Sequence, residues 1–223
     1  MELRARSYTA GALLVAGSIL EVIAMGHHPS VRTADVAAAV AAITALRTLS
    51  GVVHGILIAL MLAIAYALSE FVQRRGMDRP LIRAGAISYG AGVIFMSLAA
   101  LTSGFITPGV AAFTSHASAT DLAINAQILT LCQMINQSTA NAGAVAMSVG
   151  ILGFSLDILK QARGRGIGLF GLLVGILPAL LLPLGLAHLD VAGMTYVVIL
   201  QGLWCVAVGV RFLNDPTGAW VRA

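Results

Sequence analysis

Charged side chains are scarce in this sequence. Of its 223 residues, 10% are Asp, Glu, Lys or Arg, against about a quarter in soluble domains, so an ordinary water-soluble fold is excluded. The formal charge is +4, but there is no basic stripe with interleaved aromatics of the kind a nucleic-acid reader needs. Cysteine is nearly absent. Cys132 and Cys205 lie inside apolar runs with no pairing pattern, so each reads as a small apolar helix residue and not as half of a disulfide framework. Neither HExxH nor CxxCH occurs. Metal ligands would have to converge from separate helices, and any haem would be held non-covalently.

What the chain does contain is long apolar runs. Hydrophobic residues make up 59% of it. Six segments stand out, from Tyr8 to Met25, Val52 to Phe71, Leu81 to Thr107, Ala140 to Leu159, Ile167 to Ala187 and Val191 to Leu213. Each is close to the roughly 20 residues that cross a bilayer as a helix. The expected fold class is therefore all-α: a polytopic integral membrane protein with six transmembrane helices in a single domain over residues 1–223. Arg4 and Arg6 before the first run give it the layout of a secretory signal, with Ala24-Met25-Gly26 as a small-residue site. Cleavage there would leave His27 at a chelating N-terminus, but the segment is expected to be retained as the first span. Pro80 suits the first turn of the third helix. Pro178 and Pro183 predict a kink in the fifth, where Gly171 and Gly175 also form a GxxxG spacing.

The bases orient the chain. Arg4 and Arg6, Arg74 to Arg83, Lys160 to Arg165, and Arg211 with Arg222 place eleven on one side; Arg32 and Arg47 place two on the other. By the positive-inside rule the richer side is cytoplasmic. Both termini are then expected in the cytoplasm of a cell whose inner membrane holds the protein. Two stretches exceed the bilayer. Thr33 to Arg74 and Thr120 to Arg163 lack proline, and each would be roughly 60 Å long as one helix, against a hydrocarbon core of about 30 Å. Each is expected to extend, or bend, onto the outer (periplasmic) side, with Thr120 and Asp121 as N-terminal cap residues of the second. The first two hairpins share this layout of a span, a histidine-containing loop and an overlong helix; the third replaces it with a tight turn at 188–193.

All five histidines fall on the outer side of that topology. His27 and His28 end the first span, His54 lies near the outer end of the second, His116 follows the third, and His188 closes the fifth. The acids there are Glu21, Asp35, Asp121 and Asp190. Imidazoles suit Zn, Cu and Fe, and a neighbouring carboxylate such as Glu21, Asp121 or Asp190 can orient a ligand histidine or act as a base. Glu21 and His54 are the sharpest candidates. An ionisable side chain at membrane depth costs about 2.5–3.5 kcal/mol on insertion scales, so it usually faces the bundle interior with a partner. Glu21 and His28 are seven apart and would share a face of a continuing helix. Pro29 ends that helix near His27, which leaves open which histidine of the pair points inward.

Three functions compete on these residues. The first is a transition-metal site (Cu, Zn or Fe) formed by His27, His28, His54, His116, His188, Glu21 and Asp190. Its variant is haem b on His54, with His27, His116 or His188 opposite. The second is an accessory subunit packed against partner membrane subunits or further copies of itself, in which each histidine is merely interfacial or solvated. The third is a small transporter or channel, suggested by the amides Asn125, Gln133, Asn136, Gln137 and Asn141 on the fourth long helix, which serve equally as helix-to-helix hydrogen bonds. The lipid bilayer is the one partner common to all three. The sequence assigns no reaction.

Overall fold

A computed structural model describes residues 2–31, 33, 35–114, 119–161 and 164–215. Among them the structure is wholly helical: α1 (Glu2–Gly26), α2 (Val36–Ala45), α3 (Arg47–Arg75), α4 (Pro80–Leu101), α5 (Thr107–Thr114), α6 (Ala119–Leu159), α7 (Arg165–Leu181) and α8 (Val191–Asn214). A π-helical turn, Thr102–Ile106, joins α4 to α5, so the two form one rod from Pro80 to Thr114. Five rods are long and apolar enough to cross a membrane: α1, α3, α4–α5, α6 and α8. By helix length and hydropathy the chain is a multi-pass membrane protein. Large apolar side chains such as Tyr66, Ile87, Ile94, Leu173 and Leu203 are exposed on the outside of the bundle, as expected where the solvent is lipid.

The expected span from Ile167 to Ala187 is shorter than read. α7 has 17 residues and stops at Leu181, because Pro183 has no N–H to continue the ladder. Pro178 sits inside α7 without ending it, and its carbonyl still accepts from Leu182 N at 3.2 Å. Of the two overlong stretches, one is continuous. α6 runs 41 residues without a break, about 60 Å. It begins at Ala119, so Thr120 and Asp121 fall within its first turn and not before it. The other stretch divides at Leu46, whose φ −90° and ψ 3° lie off the helical well. No proline or glycine lies between Val36 and Ser50; the break follows from tertiary packing, which turns α2 against α5. The likeness of the first two hairpins therefore stops at their long helices.

Glycine lets the helices approach closely. α4 meets α6 along Gly85 and Gly92 on one side and Gly143 and Gly150 on the other. A Cβ on Gly143 would stand 2.8 Å from Met96 N, and one on Gly150 2.9 Å from Tyr89 N. Contact of this kind stabilises helix pairs in lipid, where burial of apolar surface gives little drive. The GxxxG pair of α7 is used in the same way, with Gly171 against Ser155 and Trp204, and Gly175 against the Ser148 carbonyl and Leu152. The largest side chains fill the centre: Phe154 packs edge-on to Phe71 at 5.5 Å and stacks with Trp204 at 6.2 Å.

Candidate functional site

α1 ends at Gly26, and the chain turns through Pro29 with His27 and His28 in the turn. The turn decides which histidine points inward. His27 is exposed, and its Nδ1 lies 2.9 Å from the Ile23 carbonyl. His28 turns into the bundle and meets His54 of α3, with the two Nε2 atoms 3.0 Å apart. His54 is 3% exposed.

Three contacts fix His54. Its Nδ1 lies 2.8 Å from the Ser50 carbonyl, one turn back along α3. The Ser50 hydroxyl donates to the Ser103 carbonyl of the π turn at 3.3 Å. Gly104 of that turn lies so close that a Cβ there would collide with the His54 Cβ. π turns recur at functional sites because they displace backbone out of the helical register, and here the displaced residues form the back wall of His54.

The proton positions follow from these contacts. The Ser50 carbonyl can only accept, so His54 carries its proton on Nδ1 and presents a bare Nε2. His28 must then donate from Nε2, which leaves its buried Nδ1 without a hydrogen-bond partner. Burial lowers the His28 pKa from its ordinary 6.5; the Pro29 backbone, close to the ring but outside hydrogen-bonding geometry for Nδ1, opposes this more weakly. If the His28 proton moves to Nδ1, towards Pro29, both Nε2 lone pairs face one point.

The ring geometry suits such a shared point. The ring centroids are 4.7 Å apart, only 1.7 Å more than the 3.0 Å between nitrogens. That difference is less than two ring radii, so the ring axes converge as a V instead of meeting head-on. An ion about 2.0–2.1 Å from each nitrogen would subtend roughly 95°, within the range of metal coordination. The axial ligands of one haem iron stand on opposite faces of the macrocycle, and no macrocycle fits between nitrogens 3.0 Å apart.

The pair opens on a cavity of about 550 Å³. Glu21 of α1 lines it, with Met25, Met61, Met96 and Met194. Gln133, Asn136 and Gln137 of α6 form a polar wall, so both amide-bearing faces of that helix reach it. Glu21 also lines a small adjoining void of about 30 Å³ with Tyr89, Gln201 and Cys205. A larger cleft of about 620 Å³ lies further out between α2, α5 and α6 and shares Ser103, Gln133 and Asn136 with the first. Neither His28 nor His54 lines it.

Of the remaining sequence candidates, Asp190 also lines this cavity, in the role of a helix cap, and His188 does not. His188 is exposed in the turn before α8. Asp190 caps α8, its Oδ1 accepting from Gly193 N at 2.8 Å; Asp35 caps α2 in the same way, from Ala37 N at 3.0 Å. His116 and the Asp121 side chain lie outside the described residues. Among the described residues no group of three or more His, Cys, Asp and Glu is gathered as a metal site. Of the four described histidines, the structure brings together two.

Sequence reading missed Ser50, Gly104, Gln201 and the methionines. A serine four residues before an intramembrane histidine, and an amide in the last apolar run, were available as signals. The methionines come from separate helices and share no spacing. Compared with protein-family models, curated proteins and solved structures, the chain matches none.

Proposed function

We propose that this chain is a six-span inner-membrane domain with both termini in the cytoplasm, which binds a transition-metal ion at its outer side through His28 and His54. The topology is supported by the eleven-to-two division of bases and by α7, an apolar helix whose 17 residues, Arg165 included, are at the short limit of about 17–25 for a spanning helix. The metal reading rests on one observation. Two imidazoles from different elements converge with their Nε2 atoms 3.0 Å apart beside a cavity large enough to admit further ligands. Two protein nitrogens leave positions open, so a third donor from the cavity wall, water or a small substrate completes the sphere. A free ion fits this pair better than bis-histidine haem.

The test is elemental analysis of detergent-purified protein from metal-replete cells. The expected result is near-stoichiometric Cu, Zn or Fe that is lost in His28→Ala and His54→Ala and retained in His27→Ala and His188→Ala. Metal that survives removal of His54, or wild-type protein that stays metal-free after reconstitution, overturns the proposal. Iron with a haem absorption band would redirect it to a macrocycle on a single histidine.

A second reading, a pathway for a small polar solute or cation, is favoured by the amide wall and by Glu21 facing the cavity at membrane depth. Flux into proteoliposomes that is lost in Glu21→Gln but insensitive to His54→Ala would favour it over the metal site.

A further inference from the structure

The methionines of this chain are concentrated at the histidine pair. Of eight in the sequence, Met25, Met61, Met96 and Met194 line the same cavity as His28 and His54. Met147 joins three of these around the adjoining void. Met77 and Met134 are 47% and 62% exposed elsewhere. Met25 is three residues before His28, near the end of α1, whereas Met61 is seven after His54, about 10.5 Å further along α3 and beyond reach of an ion on His54. Met25 and Met194 also belong to one apolar cluster, with Val53 and Leu57.

Ion chemistry narrows accordingly. Hard divalent ions such as Mg and Ca take carboxylate and carbonyl oxygens, whereas thioether sulfur selects Cu(I) among the common biological metals. Two acids lie on the cavity wall, Glu21 and Asp190, the latter also accepting from Gly193 N as a helix cap.

Resting on the metal reading above, we propose that the ion is monovalent copper, held by the imidazoles of His28 and His54 together with thioether sulfur from Met25 and Met194. Only coordinate bonds form, and no redox change is required, so an ion delivered as Cu(I) remains Cu(I).

The experiment is an anaerobic titration of the full-length protein in detergent. Ascorbate-reduced copper competes against a colorimetric Cu(I) chelator of known affinity, and Zn(II) is titrated in parallel. The variants are Met25→Leu/Met194→Leu and His54→Ala. Leucine preserves volume, so a Met→Leu exchange leaves packing nearly intact. The expected result is Cu(I) affinity at least about 100-fold above that for Zn(II). It falls at least about tenfold in the double methionine variant, whose Zn(II) affinity is unchanged, and to background in His54→Ala. Copper K-edge absorption supplies a readout independent of the variants, with sulfur scatterers expected beside nitrogen. Zn(II) bound as tightly as Cu(I), no change in the methionine variant, or a copper shell of nitrogen and oxygen alone overturns the copper inference and leaves the two-histidine site standing. Neither ion binding to the wild type, or both binding unchanged in His54→Ala, overturns the metal site itself.

Discussion

The two ends of the bundle treat polarity in opposite ways. At the arginine-rich end two carboxylates, Glu70 and Asp157, each hold two guanidiniums. Glu70 pairs with Arg6 and Arg74, both at 2.8 Å; Asp157 pairs with Arg75 at 3.2 Å and Arg79 at 3.3 Å. Arg75 and Arg74 also lie over the rings of Phe71 and Phe212, at 5.4 and 5.2 Å. These contacts tie α1, α3, the α4 entry, α6 and α8 into one knot. At the histidine end no such ion pair occurs among the described residues. There the polar groups include a histidine pair, two acids and three amides around a space. Direct pairing of opposite charges suits a structural clamp, whereas polar groups gathered around a cavity suit binding. The difference separates the part of the molecule that holds the fold from the part available to a ligand.

That division can be broken by mutation. The largest effect on stability is expected from Asp157→Ala. It leaves Arg75, whose side chain is fully buried, without its carboxylate, at a cost of about 3–5 kcal/mol. Unfolding in mixed micelles would measure the loss, while metal content per folded chain should not change. Metal loss from a protein that stays folded would show that the two ends are coupled. Next comes Gly104→Ala, whose added methyl collides with His54. Overpacking here should cost about 1–3 kcal/mol and, unlike Asp157→Ala, should weaken metal binding together with stability. An unchanged metal affinity would mean that the π turn does not position His54.

The smaller effects sharpen the comparison. Asp190→Ala removes the α8 cap and should cost about 1 kcal/mol, with metal binding intact; a loss of metal would return Asp190 to the ligand set. Arg6→Ala should cost less than about 1 kcal/mol, because an exposed partner in an ion pair contributes little, and Arg6 is 48% exposed. A larger cost would mean that the Glu70 cluster acts as one network and not as separate pairs.

Much of the architecture was legible from hydropathy. The runs beginning at Tyr8, Val52, Leu81, Ala140 and Val191 all lie within long helices, because a bilayer demands backbone hydrogen bonds satisfied within each segment. The division of α2 from α3 at Leu46 was not legible, since no residue there breaks a helix and only contact with α5 turns the chain. The early end of α7 was half legible: Pro183 marks it, yet Pro178 carries the same signal and is absorbed. At the site, Glu21 and His54 stood out as ionisable groups at membrane depth, and both line the cavity. The choice between His27 and His28 was beyond the sequence, because consecutive residues in a turn point in different directions and only the packed bundle says which direction is inward.

The sequence by itself determined that the chain is helical, that it crosses a membrane several times and that its histidines collect towards one end of the spans. These are consequences of composition and of order along the chain, which the solvent enforces locally. Tertiary structure alone decided that His28 meets His54, that Gly104 and Ser50 hold His54 in place, and that methionines from α1, α3, α4 and α8 surround one cavity. Those are relations between helices. Helix rotation and register are set by close packing at glycines such as Gly143 and Gly150, and no spacing within a single segment encodes them.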